Sequence, residues 1–384
     1  MKTIGVFFGS RSPEHDISII TAMRVIEGFA KLRSDYSIIP VYISRKGEWF
    51  YGAELGDLAF FQNARFEQEL ARHAIRAISF ADHRLILRRR GAGFFGSKKS
   101  ALIDAAFPCF HGSYGEEGTI QGLFEMAGVP YVGCGVRASA IAMSKIHTRR
   151  LLRDAGIASV RTAEISKMIF DGGMEKIASL VAGMFYPLFV KPNSLGSSIG
   201  ISRVANEKEL LWALEVVFQF DTMALVEEEV KNLREINSIV IGHSEMTVSL
   251  PEEPVHHGAF QDFEAKYLTK GGTIRQEKSA KSKSIIPARM PPETARNVAD
   301  ISRRVFRLIG ASGIMRCEFL YDTAAQKLFF GEINPLPGTL YAHVWEASGI
   351  PLPRLLEKLV GYAEERFAEE RLLTRTFSSS VLQK

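Results

Sequence analysis

Cysteine is scarce in this 384-residue chain, and the three present, Cys109, Cys134 and Cys317, are far apart and odd in number. That excludes a disulfide framework, offers no zinc-finger spacing and fits a reducing cytosol. Apolar runs long enough to span a bilayer are also missing. The chain passes directly into the strand-like KTIGVFFG with no signal peptide, so a cytoplasmic protein without membrane contact is expected. Blocks of one charge are lacking too. The net charge is +5 and the pI near 9.0, but the basic runs RRR (88–90), KK (98–99) and KSAKSK (278–283) are short and carry no interleaved aromatics. This argues against a nucleic-acid partner and leaves solvated loops, or a mouth that attracts anionic substrates. A working P-loop is absent, because GAGFFGSKKS (91–100) has the glycine spacing but Ser97 where the lysine must stand. GCGVRA (133–138) has a loose dinucleotide spacing, yet it begins far into the chain and no acidic residue follows at a suitable strand end. No internal repeat is present.

What is there describes a soluble globular protein of two or three domains, with 46% hydrophobic and 24% charged residues. TIGVFF, the loop GSRSPEHD and a helical pattern over 17–32 open an α/β sheet. YSIIPVYIS (36–44), DAAFPCFHG (104–112) and VPYVG supply further strands, with a helix over 118–128 between the last two. The first domain is set at 1–133. Residues 134–230 begin with a helical pattern and then alternate too quickly for βαβ units, which predicts an antiparallel sheet with helices on one face. Residues 231–384 form a third unit, with strands INSIVIG and EMTVSLP, a long helix over 292–309, a hairpin, and a helix from Leu352 to about Glu370.

The stretch RCEFLYDTAAQKLFFGEINPLPG (316–338) carries the most chemistry. It reads as two strands that bring Glu318, Glu332 and Asn334 to one end of a hairpin beside Arg316. Two carboxylates and a carboxamide are hard oxygen donors suited to magnesium that already holds nucleotide phosphates. Taken alone, the stretch is equally an edge hairpin with solvated glutamates. Elsewhere, Lys191 ends a strand before the Gly/Ser segment NSLGSSIG, whose N–H groups and hydroxyls can wrap anionic oxygens. Lys145 opens a helix after a glycine loop, and the acidic strand end EEEV (227–230) with Glu235 beyond could serve an adenine and a ribose. Glu14 lies in a loop at the carboxyl end of the first strand, where ligands bind in such sheets. Together these parts make an ATP and magnesium site without a P-loop.

Quoted in order, GSRSPEHDIS, FPCFHGSYGEEGTIQGLFEMAGVPYVG, KPNSLGSSIGI, REINSIVIG, FEAKY and INPLPG run over nearly the whole chain. In these segments the chain resembles the D-alanine–D-alanine ligases of the ATP-grasp superfamily. The resemblance implies a three-domain ATP-grasp fold of α/β (α+β) class: an N-terminal doubly wound parallel sheet, and two α+β domains that enclose ATP. It implies an ATP-dependent ligase that joins D-alanine to D-alanine for peptidoglycan through an acyl phosphate. It also implies two magnesium ions, with manganese as a substitute, and a homodimer. Lys145 and Lys191 would contact the α- and β-phosphates, Lys266 the γ-phosphate, and Ser198 of the lid would join them. Glu227 and Val230 would hold adenine, and Glu235 the ribose. Glu318, Glu332 and Asn334 would hold the metals. Glu14 would take the ammonium of the first D-alanine with His111 nearby. Arg316 and the backbone at Gly338 would support the oxyanion, while Ser197 and Tyr267 would link Glu14 to a mobile closing loop.

The chain departs from the family pattern before the first lysine, among the metal ligands and after the metal loop. Ser144 replaces an aspartate before the first lysine, and Glu318 replaces an aspartate among the metal ligands. After the metal loop, PGTLYAHVW places His343 where a serine holds the second substrate's carboxylate, with Tyr341 and Trp345 expected around it. A different acceptor, such as D-serine or another amine, is therefore the competing expectation, and a non-catalytic nucleotide-binding regulator the remoter one.

Overall fold

The computed structural model describes residues 1–32, 35–89, 100–196, 198–255, 284–375, 379 and 381. Ser197, Lys266 and Tyr267, and with them the FEAKY and KSAKSK segments and residues 91–99, lie outside the described residues.

The chain begins with β1 (Lys2–Gly9), α1 (His15–Phe29), β2 (Tyr36–Ile43), β3 (Trp49–Tyr51) and two short helices, α2 (Leu58–Gln62) and α3 (Phe66–Leu70). β4 (Ile75–Ala81), β5 (Arg84–Arg89) and β6 (Ser100–Ile103) then form a separate antiparallel sheet, before β7 (Ala105–Pro108) and α4 (Thr119–Ala127). The main sheet has the order β3-β2-β1-β7, parallel except for the edge strand β3. Because β1 is buried on both faces, it reads as an unbroken apolar run. Ile4, Val6 and Phe8 pack with α1 on one side, while Phe7 packs with Phe124 of α4 on the other. The expected strand at VPYVG is reduced to a single bridge between Ala106 and Tyr131, after which the chain turns away at Gly133 with φ of 102°.

Next come α5 (Val136–Met143), α6 (Lys145–Asp154), β8 (Thr162–Ser166), α7 (Lys167–Asp171) and α8 (Met174–Val181). β9 (Leu188–Pro192), β10 (Ser202–Val204), α9 (Glu207–Val217) and β11 (Met223–Glu228) complete this part. The four strands form an antiparallel sheet, β10-β9-β11-β8, as expected. Leu188, Val190, Ala224 and Val226 face Leu210, Leu214 and Val217 of α9 and Ile177 of α8. By the two-residue alternation of strands, Lys191 and Glu227 project from the opposite face.

The last part contains β12 (Leu233–Gly242), β13 (Met246–Val248), β14 (Glu253–Pro254) and β15 (Ser284–Ile285), then α10 (Pro292–Leu308). β16 (Gly313–Asp322), β17 (Lys327–Asn334), α11 (Ala342–Ala347) and α12 (Leu352–Arg371) follow. Its sheet, β13-β12-β16-β17, is wholly antiparallel. Ile236, Val240, Met315, Cys317 and Phe319 bury against Val298, Val305 and Phe306 of α10. Cys134, Ala138, Ala142, Leu152 and Ile157 join that same core, so α5 and α6, grouped with the central unit on sequence grounds, pack on the third sheet. All three cysteines are free and buried. Burial pushes the thiols of Cys134 and Cys317 up to about 11 and about 12, where they are unreactive. No helix among the described residues is long and apolar enough to cross a membrane.

Candidate active site

The polar faces of the second and third sheets look at each other, and the site is built between them. In the β16–β17 hairpin Arg316 pairs with Asn334, and on the next strand Asn237 pairs with Glu318. Register therefore puts Arg316, Glu318, Glu332 and Asn334 on one face. Nη2 of Arg316 lies 3.7 Å from both Oε2 of Glu318 and Oε1 of Glu332. The guanidinium also donates to the hydroxyl of Tyr341, whose ring centroid it overlies at 5.2 Å. Burial opposes the charge on Arg316, but Tyr341, Glu318 and Glu332 more than offset it, so its pKa is raised and it stays protonated.

Lys145 bridges the two sheets. Its Nζ donates to the carbonyl of Leu195 at 2.6 Å and stands 3.9 Å from Oε2 of Glu332. Burial lowers its pKa, with Glu332 working in the opposite sense. Ser144, the departure from aspartate, caps α6 by accepting from the N–H of His147, and serine and aspartate serve that role about equally. Asn193, just after Lys191, accepts from the N–H groups of Lys145 and Ile146 through its backbone and side-chain oxygens. The lid strand thus grips the lysine-bearing helix.

Glu227, expected at the adenine, is held by two cations. Its Oε1 accepts from Arg149 Nε and Nη2 at 3.0 and 2.8 Å, and its Oε2 pairs with Lys191 Nζ at 2.7 Å. Only 2% of the residue is exposed. Burial would raise its pKa, yet Arg149 and Lys191 outweigh burial and hold the carboxyl down to about 2. Arg149 also donates to the carbonyl of Phe330 at 2.7 Å, tying this cluster to β17. Neither Arg149 nor Asn193 was singled out from the sequence. Arg149 follows Lys145 by one helical turn, which is the signal that could have found it.

Glu14 precedes α1 and is buried. Ser12 Oγ accepts from the N–H of Glu14 and donates to the carbonyl of His111 at 2.7 Å, joining the first loop to the HGSYGEEG loop. Gly112 has φ of 69°, and a Cβ there would meet Glu14 Oε2 at 2.8 Å. The lid reaches the same carboxylate, since a Cβ on Gly196 would stand 3.7 Å from it. A Cβ on Gly338, after the metal loop, would lie 3.9 Å from the ring of His111. Beyond it Thr339, Leu340 and Tyr341 all have left-handed φ, at 48°, 56° and 49°. Such backbone costs on the order of 1–2 kcal/mol per residue and persists only where the surroundings impose it.

His343 is half exposed, and its Nε2 lies 2.7 Å from Oε1 of buried Glu252. Burial works against the charge on Glu252, but His343, Asn237 and Ser284 together lower its pKa. Tyr341 leans on the His343 ring at 5.5 Å between centroids. Trp345, expected around this pocket, is instead fully buried in the core with α1 and α12. The reason is helical: within α11, residues 342, 344 and 345 turn inward, while His343 faces out.

Val230 and Glu235 are half buried, flanking the entry to β12, and Ser198 sits in the lid with φ of 60°. No group of three or more His, Cys, Asp or Glu side chains placed to hold a metal occurs among the described residues. Glu318, Glu332 and Asn334 supply two carboxylates and an amide. This hard-oxygen set suits magnesium whose remaining positions are filled by phosphate oxygens and water.

Comparisons with known proteins cover nearly all of the chain. Residues 3–134 match the family described as D-ala D-ala ligase N-terminus, and residues 151–361 that described as D-ala D-ala ligase C-terminus. The chain is 37% identical over 377 residues to a D-alanine–D-alanine ligase of Thermosipho melanesiensis, covering 97% of each. Among solved structures, the D-alanine-D-alanine ligase from Coxiella burnetii superposes with a TM-score of 0.78 at 28% identity, over 97% of both chains. The VanG D-Ala:D-Ser ligase from Enterococcus faecalis gives 0.74 at 28% identity, over 94% of this chain and 99% of its own.

Proposed function

Because the chain belongs to the D-alanine–D-alanine ligase family, we propose that it joins D-alanine to D-alanine with the consumption of ATP, supplying the dipeptide for peptidoglycan. The observation that carries this reading is the gathering of cations beside the hairpin of Glu318, Glu332 and Asn334: Lys145 lies 3.9 Å from Glu332, and Lys191 is held at 2.7 Å by Glu227, which Arg149 ties to β17.

A carboxylate is a poor acyl donor, and transfer of the γ-phosphoryl group of ATP makes it an acyl phosphate with a good leaving group. Lys145 opens α6, where its ammonium and the helix's positive end both favour phosphate oxygens. Lys191 meets the same triphosphate. Glu227 holds the adenine and, through its pair with Lys191, orients that lysine and keeps it charged. Val230 and Glu235 line the nucleotide's other end, Ser198 covers the phosphates, and Lys266 takes the γ-phosphate. Two magnesium ions, or manganese in their place, would be held by Glu318, Glu332 and Asn334 and would neutralise phosphate charge. Glu14 takes the ammonium of the donor amino acid beside His111, and Ser197 and Tyr267 connect it to the closing loop. The acceptor amine then attacks the acyl phosphate, and Arg316 with the backbone at Gly338 stabilises the tetrahedral oxyanion. His343 meets the acceptor carboxylate. The lid excludes water that would otherwise hydrolyse the acyl phosphate. The enzyme works in the cytoplasm as a homodimer built of domains 1–133, 134–230 and 231–384, with α5 and α6 of the second packed on the sheet of the third.

D-Serine is the second acceptor reading, favoured by His343 and by the comparable likeness to a D-Ala:D-Ser ligase. Phosphate release from ATP, measured over a panel of paired D- and L-amino acids, tests both. Turnover with D-alanine alone, yielding the dipeptide, supports the first reading. Turnover that needs a second amino acid supports the other, and no amino-acid-stimulated release sinks the ligase reading.

A further inference from the structure

We propose that Thr21 is a positioning residue for this ligase: its hydroxyl pins the left-handed turn 339–341 to the HGSYGEEG loop and thereby sets the backbone at Gly338 and the guanidinium of Arg316. The proposal rests on the reading above for the roles of Gly338 and Arg316.

Thr21 lies on α1 with none of its surface exposed. Its Oγ1 accepts from the N–H of Thr339 at 3.2 Å and lies 2.8 Å from Nε2 of His111. On the far side of the ring, Nδ1 stands 3.8 Å from Oε1 of Glu116, a buried oxygen with no hydrogen-bond partner among the described residues. The other oxygen, Oε2, accepts from the N–H of Gly112 at 2.8 Å. A carboxylate oxygen facing Nδ1 favours the tautomer that carries its proton there, which leaves Nε2 an acceptor. Thr21 then donates its one proton to His111 and accepts from Thr339. Its donor and one acceptor lone pair are used in joining the two loops.

The turn needs such a tether. Three successive residues with side chains hold left-handed φ, and an isolated chain would relax them. Leu340 anchors the middle by full burial, and its N–H donates to the carbonyl of Pro337. Tyr341 closes the far end on Arg316. Thr339 enters the turn directly after Gly338, and its tether is Thr21. Were that bond lost, the turn would unwind at its entrance and carry Gly338 and Tyr341 with it.

Thr21→Val keeps the shape and removes the hydroxyl, while Thr21→Ser restores it. With kcat and KM for D-alanine and MgATP read from phosphate release, Thr21→Val is expected to lower kcat by about tenfold or more, since small misplacements of reacting groups cost that much. KM for MgATP should stay within about twofold, because the nucleotide contacts lie elsewhere. Thr21→Ser should recover most of the lost kcat. Wild-type kcat in Thr21→Val, or equal losses in both variants, would overturn the proposal. A crystal structure of Thr21→Val decides the geometry whether or not the ligase reading holds. The turn should leave the left-handed region and Tyr341 should leave Arg316, and an unchanged turn would overturn the role of Thr21. Absence of amino-acid-stimulated turnover in the wild type would instead strike the ligase reading.

Discussion

Burial alone would raise the pKa of Glu227, yet Arg149 and Lys191 hold its carboxyl down to about 2. A depressed carboxyl stabilises the fold fully above its unfolded value near 4.5, and that contribution fades as pH falls towards 2. Glu227→Gln should therefore flatten part of the acid limb of stability. It should also cost about 3–5 kcal/mol near neutrality, because two buried cations lose their partner. Urea titrations from about pH 3 to about pH 7 read both effects, and a variant as stable as the wild type would refute the assignment. His343 has a carboxylate of its own behind it, Glu252 at 2.7 Å. His343→Ser should change the acceptor preference and raise the acceptor KM by about tenfold, equal to ~1.4 kcal/mol, with the donor KM unmoved. Unchanged preference in a competition between D-alanine and D-serine would remove His343 from the pocket. The sequence was legible here for residue type and position, as with Lys145, Lys191, Glu318, Glu332 and Asn334. It was not legible for partnership. Nothing in EEEV reveals that Arg149, 78 residues earlier, pairs with the carboxylate of Glu227.

Secondary structure explains why some elements could be read in advance and others not. α10 and α12 fall within a residue or so of their expected limits, at Pro292–Leu308 and Leu352–Arg371, because each has prolines at its cap and first turn and carries a long periodic pattern. The VPYVG strand shrank to a bridge because Gly133 turns the chain before a ladder can form. Trp345 moved from pocket to core because helical phase, not sequence proximity to His343, decides which way it points. The loops carry the tightest constraint. At Gly112 an added methyl would meet Ser12 Oγ at 2.6 Å and Glu14 Oε2 at 2.8 Å, on backbone with φ of 69°. Gly112→Ala should raise the KM for D-alanine by about tenfold or more while leaving MgATP binding intact, given the steric and backbone penalties together. Separate titrations of the two substrates measure this, and an unchanged D-alanine KM would show that the loop has room to give.

At the scale of the molecule, the lysines and the hairpin carboxylates come together where the second and third sheets meet. Arg149 joins β11 to β17, and Lys145 joins the lid to Glu332. MgATP placed in that cleft touches both sheets, so it should stabilise them jointly. At a hundredfold excess over Kd the gain is about 2.7 kcal/mol. A nucleotide-dependent rise in the thermal midpoint, weakened in Arg149→Met, is the expected result of differential scanning fluorimetry. No rise at saturating MgATP would remove nucleotide from this cleft.

The sequence by itself determined the chemical inventory and the order of the elements: hydrophobic period sets strand and helix, and lysines, carboxylates and glycine loops keep their chemical character wherever they land. Tertiary structure alone decided which of those groups meet. Arg149 on Glu227, Thr21 between His111 and Thr339, and Glu252 behind His343 join residues separated by 78, 90, 318 and 91 positions. Pairings over such distances follow from sheet register and helix phase, and no local window of sequence contains them.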